Sequence, residues 1–325
     1  MLAQAGFTTY TAGNIGPPLI GFVAESTPSD IYVTELSSFQ LETIDTLRPH
    51  VAAILNLTPD HMDRYRGFED YVAAKRRIFM NQTPSDFAVL NADDPRTFAL
   101  AGEVASGPVL FSRKTEVPRG TFVRGDRIFE RDPSGEREVL SRSDIRLRGE
   151  HNVENVLAAA AIALLGGANP ESVRAAVAEF PGVEHRLEWV AEIAGVEYFN
   201  DSKATNVDAA IKSLEAFPGG IHIILGGRDK AGDFTALRPL VAARVRSAVV
   251  IGEAAAKIEA ALAGTVPLER AATLPEAVEA CRRRSAPGEV VLLAPACASF
   301  DMFSDYKHRG RVFKQAVAEL QGAQR

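Results

Sequence analysis

Two series of short apolar runs, each alternating with helical patterns, constrain the fold of this chain more than any other feature. In the first series we predict strands over Ile31–Glu35, Val51–Leu57 and Phe87–Asn91, and a helix over Phe68–Met80 between the last two. Parallel strands need a crossover connection, usually a helix, so this alternation is typical of a parallel sheet. The sequence therefore predicts the α/β class, with a doubly wound, mostly parallel central sheet.

Residues 107–148 interrupt this alternation. Their side chains alternate with a period of two, and Gly- and Pro-containing turns separate the runs, which predicts a small antiparallel appendage. The alanine-rich stretch that follows, HNVENVLAAAAIALLGG, predicts a buried helix that stops at residues 166–167. Asn169 and Pro170 are residue types that suit an N-cap and a first helical position, so a second helix should begin there.

A Pro-Gly turn ends the first half of the chain. We place the domain boundary near Gly182, after which a hairpin closed at residues 194–195 precedes a second alternation of strands and helices. A length of 325 residues suits two domains of ordinary size. The predicted organisation is a central domain over residues 1–182 and a Rossmann-like α/β domain over residues 183–325.

Composition excludes several classes of protein. Hydrophobic residues make up 46% and charged residues 24%, unlike disordered or collagen-like chains, and a net charge of -6 gives no general attraction to nucleic acid. Cys281 and Cys297 lie far apart without a CxxC, which favours a reducing compartment over a zinc cage. The sequence shows neither a leader pattern nor an apolar run of about 18 residues. We expect a cytoplasmic protein without membrane insertion.

Polar residues gather after the predicted strands of the first half, where ligands of open α/β sheets bind. Glu35 ends one strand, and the next runs into TPDHMDRY, which contains Asp60, His61 and Asp63. Lys75 follows on the next helix. A carboxylate and an imidazole at adjacent strand ends can bind a divalent cation, and oxygen ligands favour Mg²⁺ over zinc. The alternative is that Asp60 caps a turn and His61 is a hydrogen-bonded structural histidine.

Three further clusters follow strands in the second half, namely NDSKATN, GGRDKAGDF and PACASFDMF. Lysine is scarce in this chain, and Lys75, Lys203 and Lys230 all lie in strand-end clusters. An ammonium beside hydroxyl groups suits a carboxylate or a phosphate. The alternative for GGRDKAGDF is an ordinary strand-to-helix turn whose glycines allow positive φ.

Two common nucleotide-binding fingerprints are absent from this sequence. It contains no Gly-Lys dipeptide and hence no GxxxxGK[ST] phosphate loop, and it contains no GxGxxG. A dehydrogenase interpretation therefore has no motif to support it.

Taken in order, a series of motifs from about Asn14 to the end of the chain resembles the Mur ligases of peptidoglycan synthesis. The motifs are GNIG, ELSSFQLE, NLTPDHMDRY, YVAAKRRIF, NADD, GEHNVENVLAA, HRLE, NDSKATN, LGGRDK and PACASFDMF. Folylpolyglutamate synthetase shares the central plan, but ELSSFQLE, NDSKATN and PACAS are similar to the D-glutamate-adding branch in particular. The resemblance implies a ligase that uses ATP and Mg²⁺ to add D-glutamate to UDP-MurNAc-L-Ala through an acyl phosphate, with roles in cell wall biogenesis, cell shape and cell division.

The resemblance also implies the catalytic and metal-binding residues. Glu35 would bind one Mg²⁺ near the triphosphate, while His61 and Lys75 would hold a second Mg²⁺ by the substrate carboxylate. Lys75 would be carbamylated, which solves a physical problem, because an ammonium repels a metal ion whereas a carbamate offers anionic oxygens.

Further contacts follow from the same resemblance. Contacts with the UDP-muramoyl substrate are implied for Asn14, Ser37, Phe39 and Gln40. Contacts with ATP are implied for Asn152, Asn155, Arg186, Asp201 and Lys203. A D-glutamate pocket is implied for Thr205, Lys230, Ser299, Phe300 and Tyr306. The three-residue spacing of the two asparagines puts both amides on one face of a helix, where they would bind adenine. Domain closure about the Gly182 region should complete the site, because ATP meets both halves.

The chain departs from the family pattern at its start. Only thirteen residues precede Asn14, so we expect this chain to lack the uridine-binding domain and the phosphate loop, and its central sheet to expose an edge. We expect this polypeptide alone to be inactive, and a start codon assigned too late is the simplest account. The alternatives are a non-catalytic protein that binds D-glutamate or is completed by a partner, and another Mur or folylpolyglutamate-type ligase. We expect a monomer that binds small-molecule substrates.

Overall fold

The computed structural model describes residues 1–62 and 64–322. It divides into two compact units. The first consists of Met1–Arg146 and His151–Phe180, and the second consists of Leu147–Glu150 and Pro181–Arg325. The second unit thus takes in a four-residue segment that the sequence places in the first domain. Within the described part of the chain, no helix is both long enough and apolar enough to cross a membrane.

Among its described residues, the first unit contains eight strands and five helices, joined by short 3-10 turns. The strands are β1 (Thr9–Gly13), β2 (Ile31–Glu35), β3 (Val51–Ile54), β4 (Phe87–Asn91), β5 (Gly107–Ser112), β6 (Gly120–Arg124), β7 (Arg127–Asp132) and β8 (Gly135–Ser141). The helices are α1 (Ser38–Glu42), α2 (Phe68–Arg76), α3 (Pro95–Ala99), α4 (Glu150–Leu165) and α5 (Pro170–Glu179). A 3-10 turn over Arg77–Phe79 extends α2 almost to the predicted end of that helix.

Two sheets form the first unit. β1 and β2 make a parallel pair of their own, and the other strands form a six-stranded sheet in the order β3-β4-β5-β6-β7-β8. β3 to β6 run parallel, and only β7 and β8 are antiparallel to their neighbours. The α/β prediction is confirmed. The predicted antiparallel appendage is a continuation of the central sheet, because β5 pairs in parallel with β4.

The strand predicted over Val51–Leu57 is shorter in the structure. β3 ends at Ile54, where its pairing with β4 ends, and the next carbonyl, that of Leu55, accepts a hydrogen bond from Asn91 Nδ2 at 3.0 Å. A side chain therefore replaces the ladder at this point.

The alanine-rich helix α4 is buried and ends before Gly166, as predicted. Its small side chains pack in one cluster with β5, β7 and β8. Asn169 caps α5 by accepting a hydrogen bond from the Ser172 amide at 2.8 Å, and Pro170 is the first helical residue, also as predicted.

In the part that the structure describes, up to residue 322, the second unit contains six strands and five helices in alternation. The strands are β9 (Glu188–Ile193), β10 (Val196–Asn200), β11 (Ile221–Gly226), β12 (Val245–Ile251), β13 (Leu268–Arg270) and β14 (Val290–Leu293). The helices are α6 (Val207–Glu215), α7 (Arg238–Arg244), α8 (Ala255–Leu262), α9 (Leu274–Arg284) and α10 (Tyr306–Gly322).

One sheet organises the second unit, in the order β13-β12-β11-β14-β10-β9. All its strands are parallel except β9, which forms the predicted hairpin with β10. Ala194 and Gly195 close that hairpin with φ of 51° and 75°, the left-handed pair that a tight two-residue turn requires. The carboxyl ends of β10, β11 and β14 lie side by side and continue into NDSKATN, GGRDKAGDF and PACASFDMF.

Apolar clusters cover both faces of this sheet. Cys281 and Cys297 are free thiols within these clusters. Burial raises the pKa of both thiols, that of Cys297 to about 12.

Candidate functional site

In the first unit, the ends of β1 and β2 bring two predicted site residues together. Asn14 Nδ2 donates to Glu35 Oε1 at 2.9 Å, and the Asn14 amide donates to the Glu35 carbonyl at 2.7 Å. Gly13 makes this approach possible, because its φ is +107° and an added Cβ would lie 2.3 Å from the Glu35 carbonyl oxygen. The Glu35 carboxylate is therefore fixed at the carboxyl end of the sheet.

The segment after β2 presents the next predicted residues. Ser37 caps α1, where its hydroxyl accepts from the Gln40 amide at 3.2 Å, and Gln40 Oε1 accepts from the Ser37 amide at 2.9 Å. This reciprocal capping box fixes the turn. The exposed Phe39 ring lies 4.9 Å from the His61 ring and 4.7 Å from the Arg64 guanidinium. Phe39 and His61 thus share one surface.

Lys75 lies half-buried on α2, with its Nζ 5.8 Å from the centre of the Tyr71 ring. Burial lowers the pKa of Lys75, although the carboxylates of Glu35 and Asp60 favour its charged form. A larger fraction of the amine is therefore neutral than at an exposed lysine.

His61 adopts a left-handed conformation with φ of 56°. Its amide donates to Asp60 Oδ1 at 2.9 Å, and its Nε2 lies 3.9 Å from Asp60 Oδ2. Asp63, which the sequence groups with them, lies outside the described residues. Among the described residues, one group of three His, Asp or Glu side chains comes close enough to share a cation, and it is Glu184, His185 and Glu188 in the second unit.

That second-unit group already has an internal cation. Lys314 Nζ lies 3.0 Å from Glu184 Oε1 and 2.7 Å from Glu188 Oε1. Because this ammonium forms ion pairs with both carboxylates, the group is better described as an ion-pair network than as a metal centre.

The two asparagines on α4 face each other. Asn155 Nδ2 donates to Asn152 Oδ1 at 3.2 Å, and Asn152 is buried. The structure therefore brings together the two amides that the sequence places on one helical face.

In the second unit, the segment that carries Arg186 is held from both sides. The His185 carbonyl accepts from the Lys203 amide at 3.0 Å, and the Leu187 amide donates to the Asp201 carboxylate. His185 and Leu187 have φ of 66° and 45°, so the exposed Arg186 lies between two left-handed residues. Such conformations persist only where the surroundings enforce them.

Asp201 is buried and also accepts from Ser213 Oγ at 2.6 Å. Burial raises the pKa of Asp201, against the effect of its hydrogen bonds and of the positive charges of Arg186 and Lys203. The structure thus places Asp201 beneath the Arg186 segment rather than on an open surface.

The residues predicted for D-glutamate differ in exposure. Ser299 is buried, Tyr306 is half-buried and Phe300 is 62% exposed. The centre of the Tyr306 ring lies 5.2 Å from Nζ of Lys203, which the sequence assigns to ATP. Lys230 is exposed, and within residues 1–62 and 64–322 no carboxylate lies within ion-pair distance of it. Thr205 follows Lys203 in the same turn, where its amide donates to the Lys203 carbonyl at 2.8 Å.

Sequence reasoning missed two buried residues next to these clusters. His185 is 1% exposed and accepts at Nδ1 from Asn200 Nδ2 at 2.9 Å, while Arg309 is fully buried. Arg309 does leave a signal, because it occupies the same helical face as Phe313 and Val317, which are core residues of α10. A charged residue on an apolar face marks a buried polar contact.

Two protein families match the chain. The Mur ligase middle domain matches residues 1–163, and the Mur ligase glutamate ligase domain matches residues 185–297. The UDP-N-acetylmuramoylalanine–D-glutamate ligase of Koribacter versatilis (strain Ellin345) is 52% identical over 320 residues, which cover 98% of this chain and 70% of the relative. The chain belongs to the UDP-N-acetylmuramoylalanine–D-glutamate ligase family. The resemblance inferred from the sequence motifs is thereby confirmed.

A further relative agrees with this assignment, and two solved structures are similar in fold. The enzyme of the same name from Acidobacterium capsulatum is 51% identical over 325 residues, with 99% of this chain and 70% of the relative covered. The crystal structure of the MurF ligase from Thermotoga maritima in complex with ADP has a TM-score of 0.70 at 16% identity, over 98% of this chain and 76% of that one. A pseudomurein peptide ligase type C from Methanothermus fervidus has a TM-score of 0.68 at 14% identity, over 97% and 79%. At these identities the structures support the fold.

Proposed function

We propose that this chain serves an ATP-dependent ligase reaction that joins D-glutamate to UDP-N-acetylmuramoyl-L-alanine in peptidoglycan precursor synthesis. The observation that carries the proposal is the 52% identity with a D-glutamate ligase over 98% of this chain. The strand-end clusters of both units support it, because they hold the cations, amides and hydroxyls that phosphates and carboxylates need.

The chemistry explains why such groups are required. A free carboxylate is a poor electrophile, so ATP phosphorylates the alanine carboxylate to an acyl phosphate and leaves as ADP. The amine of D-glutamate attacks that carbonyl, and the tetrahedral intermediate expels phosphate. Two anions, the triphosphate and the carboxylate, must approach each other, so catalysis depends on positive charge and on positioning.

In the first unit, Glu35, His61 and Lys75 would hold Mg²⁺, which when bound neutralises charge on the triphosphate and the substrate carboxylate. The donor set suits the ion once Lys75 is carbamylated, since carboxylate and carbamate oxygens are hard ligands. Carbamate formation needs a neutral amine. Because the pKa of Lys75 is lowered, a larger fraction of its amine is neutral and able to react. Asn14 would hold Glu35 in place, and the Phe39 surface with Ser37 and Gln40 would meet the muramoyl substrate.

Asn152 and Asn155 would bind adenine. Arg186 and Lys203 would bind the ribose or phosphates of ATP, and Asp201 belongs to the same cluster. In the D-glutamate pocket, the exposed Lys230 would bind one carboxylate and Ser299 the other, beside Thr205, Phe300 and Tyr306. The proposal includes domains over residues 1–182 and 183–325, a cytoplasmic location and a monomer.

Two measurements test the proposal, and only one needs turnover. The first measures phosphate release from ATP, which should require both D-glutamate and UDP-N-acetylmuramoyl-L-alanine. Because we expect this polypeptide to be inactive alone, such release would extend the proposal to catalysis by this chain itself. Independently, the chain in ¹³C-bicarbonate should show a carbamate resonance that is lost in Lys75→Ala and kept in Lys114→Ala, an exposed lysine of the same unit. A wild-type chain without the resonance, or Lys75→Ala with it, would overturn the role of Lys75.

A further inference from the structure

The guanidinium of Arg309, in the first turn of α10, joins two strand-end loops of the second unit. It donates to Ser202 Oγ at 2.9 Å and to the Ser202 carbonyl at 2.8 Å. It also donates to the carbonyls of Cys297 at 3.1 Å and Ala298 at 3.4 Å. Ser202 Oγ in turn donates to the Tyr306 carbonyl at 2.8 Å, which ties the NDSKATN loop to the start of α10.

A third loop lies against the same group. A Cβ added to Gly227 would lie 3.2 Å from Arg309 Nη1 and 2.2 Å from the Ala298 carbonyl oxygen, so this position has room for glycine alone. The next residue, Arg228, exchanges two backbone hydrogen bonds with Ala298, at 2.9 and 3.0 Å. The loops after β10, β11 and β14 therefore meet at one guanidinium.

These hydrogen bonds explain why the residue is an arginine. Its planar fork carries five donors in fixed directions, whereas a lysine ammonium presents a single point charge. All four acceptors are neutral oxygens, so no bonded carboxylate offsets the burial of the charge. Burial lowers the pKa of Arg309 to about 10, which leaves it charged at neutral pH. A buried charge is costly, so it marks a position where defined geometry matters.

We propose that Arg309 is a positioning residue for the amino-acid substrate, which fixes the three loops that carry Thr205, Lys230 and Ser299 without touching the substrate itself. The inference rests on the proposed function for the identity of the substrate. Its structural part, the joining of the loops, stands on the hydrogen bonds alone.

The test compares Arg309→Lys with Arg311→Lys, an exposed arginine on the same helix, in the full chain. Amide hydrogen exchange measures the order of the loops at Gly227, Thr205 and Ala298, and a ¹⁵N titration with D-glutamate measures binding. In Arg309→Lys we expect loop protection to fall and D-glutamate to bind more weakly, each by about tenfold, as for the loss of one or two hydrogen bonds. Protection at Ile223 and Val249, in the sheet interior, should stay unchanged, and Arg311→Lys should resemble the wild type.

Several results would overturn the proposal. Unchanged loop protection in Arg309→Lys would do so, and so would an equal loss in the sheet interior, which indicates general destabilisation. If Arg309→Lys does not fold, Ser202→Ala removes one acceptor and should loosen the same loops to a smaller extent, and loops unaffected in that variant would contradict the inference. A wild-type chain that shows no D-glutamate shifts would refute the substrate in the proposed function, whereas the exchange data would still decide the role of Arg309.

Discussion

For Gly310→Ala, helix propensity and packing predict changes in protein stability of opposite sign. Gly310 lies in the interior of α10, where alanine is favoured over glycine by about 1 kcal/mol. Propensity alone therefore predicts a more stable protein. The structure predicts the reverse, because the His185 ring packs directly against this position.

The size of the effect follows from the geometry. A Cβ at position 310 would lie 2.2 Å from His185 Nδ1 and 2.8 Å from two ring carbons, whereas ordinary contact begins at 3.4 Å. The ring is buried and cannot swing aside without losing its hydrogen bond from Asn200. Overpacking costs about 1–3 kcal/mol and the hydrogen bond about 1 kcal/mol, against the propensity gain of about 1 kcal/mol. We expect a net loss of about 1–3 kcal/mol, or roughly 3–9 °C in Tm.

Trp189 supplies the assay. It is the chain's one tryptophan and lies on β9, so its fluorescence during urea unfolding reports on the second unit. Gly322→Ala is the matched control, because it lies on the same helix with no atom within 4 Å of the added Cβ, and it should be neutral or slightly stabilising. The double variant His185→Ala/Gly310→Ala should be more stable than the sum of the single effects. A Gly310→Ala protein as stable as Gly322→Ala would refute the reasoning.

Two further predictions concern Asp201 and Gly13. Asp201→Asn keeps an acceptor for the Leu187 amide but removes a buried charge, so it should stabilise the second unit at pH 7. Burial raises the folded pKa of Asp201 above the unfolded value of 3.8, so this gain in stability should shrink as the pH falls toward 4. Unfolding followed by Trp189 fluorescence measures the gain, and a gain that does not change with pH would contradict a raised pKa for Asp201. Gly13→Ala should lower protection of the β1 amides in hydrogen exchange and weaken the Lys75 carbamate resonance, because its Cβ meets the Glu35 carbonyl. Gly6→Ala, with φ of +91° and open space, costs about 1–2 kcal/mol in backbone strain alone and should leave the carbamate intact.

Local patterns predicted the elements whose causes are local. Asn169 and Pro170 mark a helix start by their own chemistry, and the alanine-rich run of α4 is apolar all round because it is buried. The strand-end rule also predicted which loops lie together, since the carboxyl ends of the neighbouring parallel strands β11, β14 and β10 share one edge. The parallel pairing of β5 with β4 could not be predicted from the sequence pattern, because parallel and antiparallel strands share the same two-residue alternation.

Long-range contacts account for what the sequence did not predict. Nothing local distinguishes the buried Asp201 from an exposed strand-end carboxylate, because its burial comes from the Leu187 segment and from Ser213 on α6. The buried position of the His185 ring depends on the absence of a side chain at Gly310, about 125 residues further along the chain. Such contacts exist only once the sheet has formed.

The two buried thiols have a practical consequence for experiments in solution. Thiol-specific reagents attack thiolates, and burial keeps both Cys281 and Cys297 protonated and out of reach. The folded chain therefore does not react with maleimide dyes or thiol-specific spin labels, so neither cysteine has to be replaced before labelling. A cysteine introduced at the exposed Lys114 of the first unit would carry a single probe, and energy transfer from the lone indole at position 189 would then follow the separation of the two units as substrates are added.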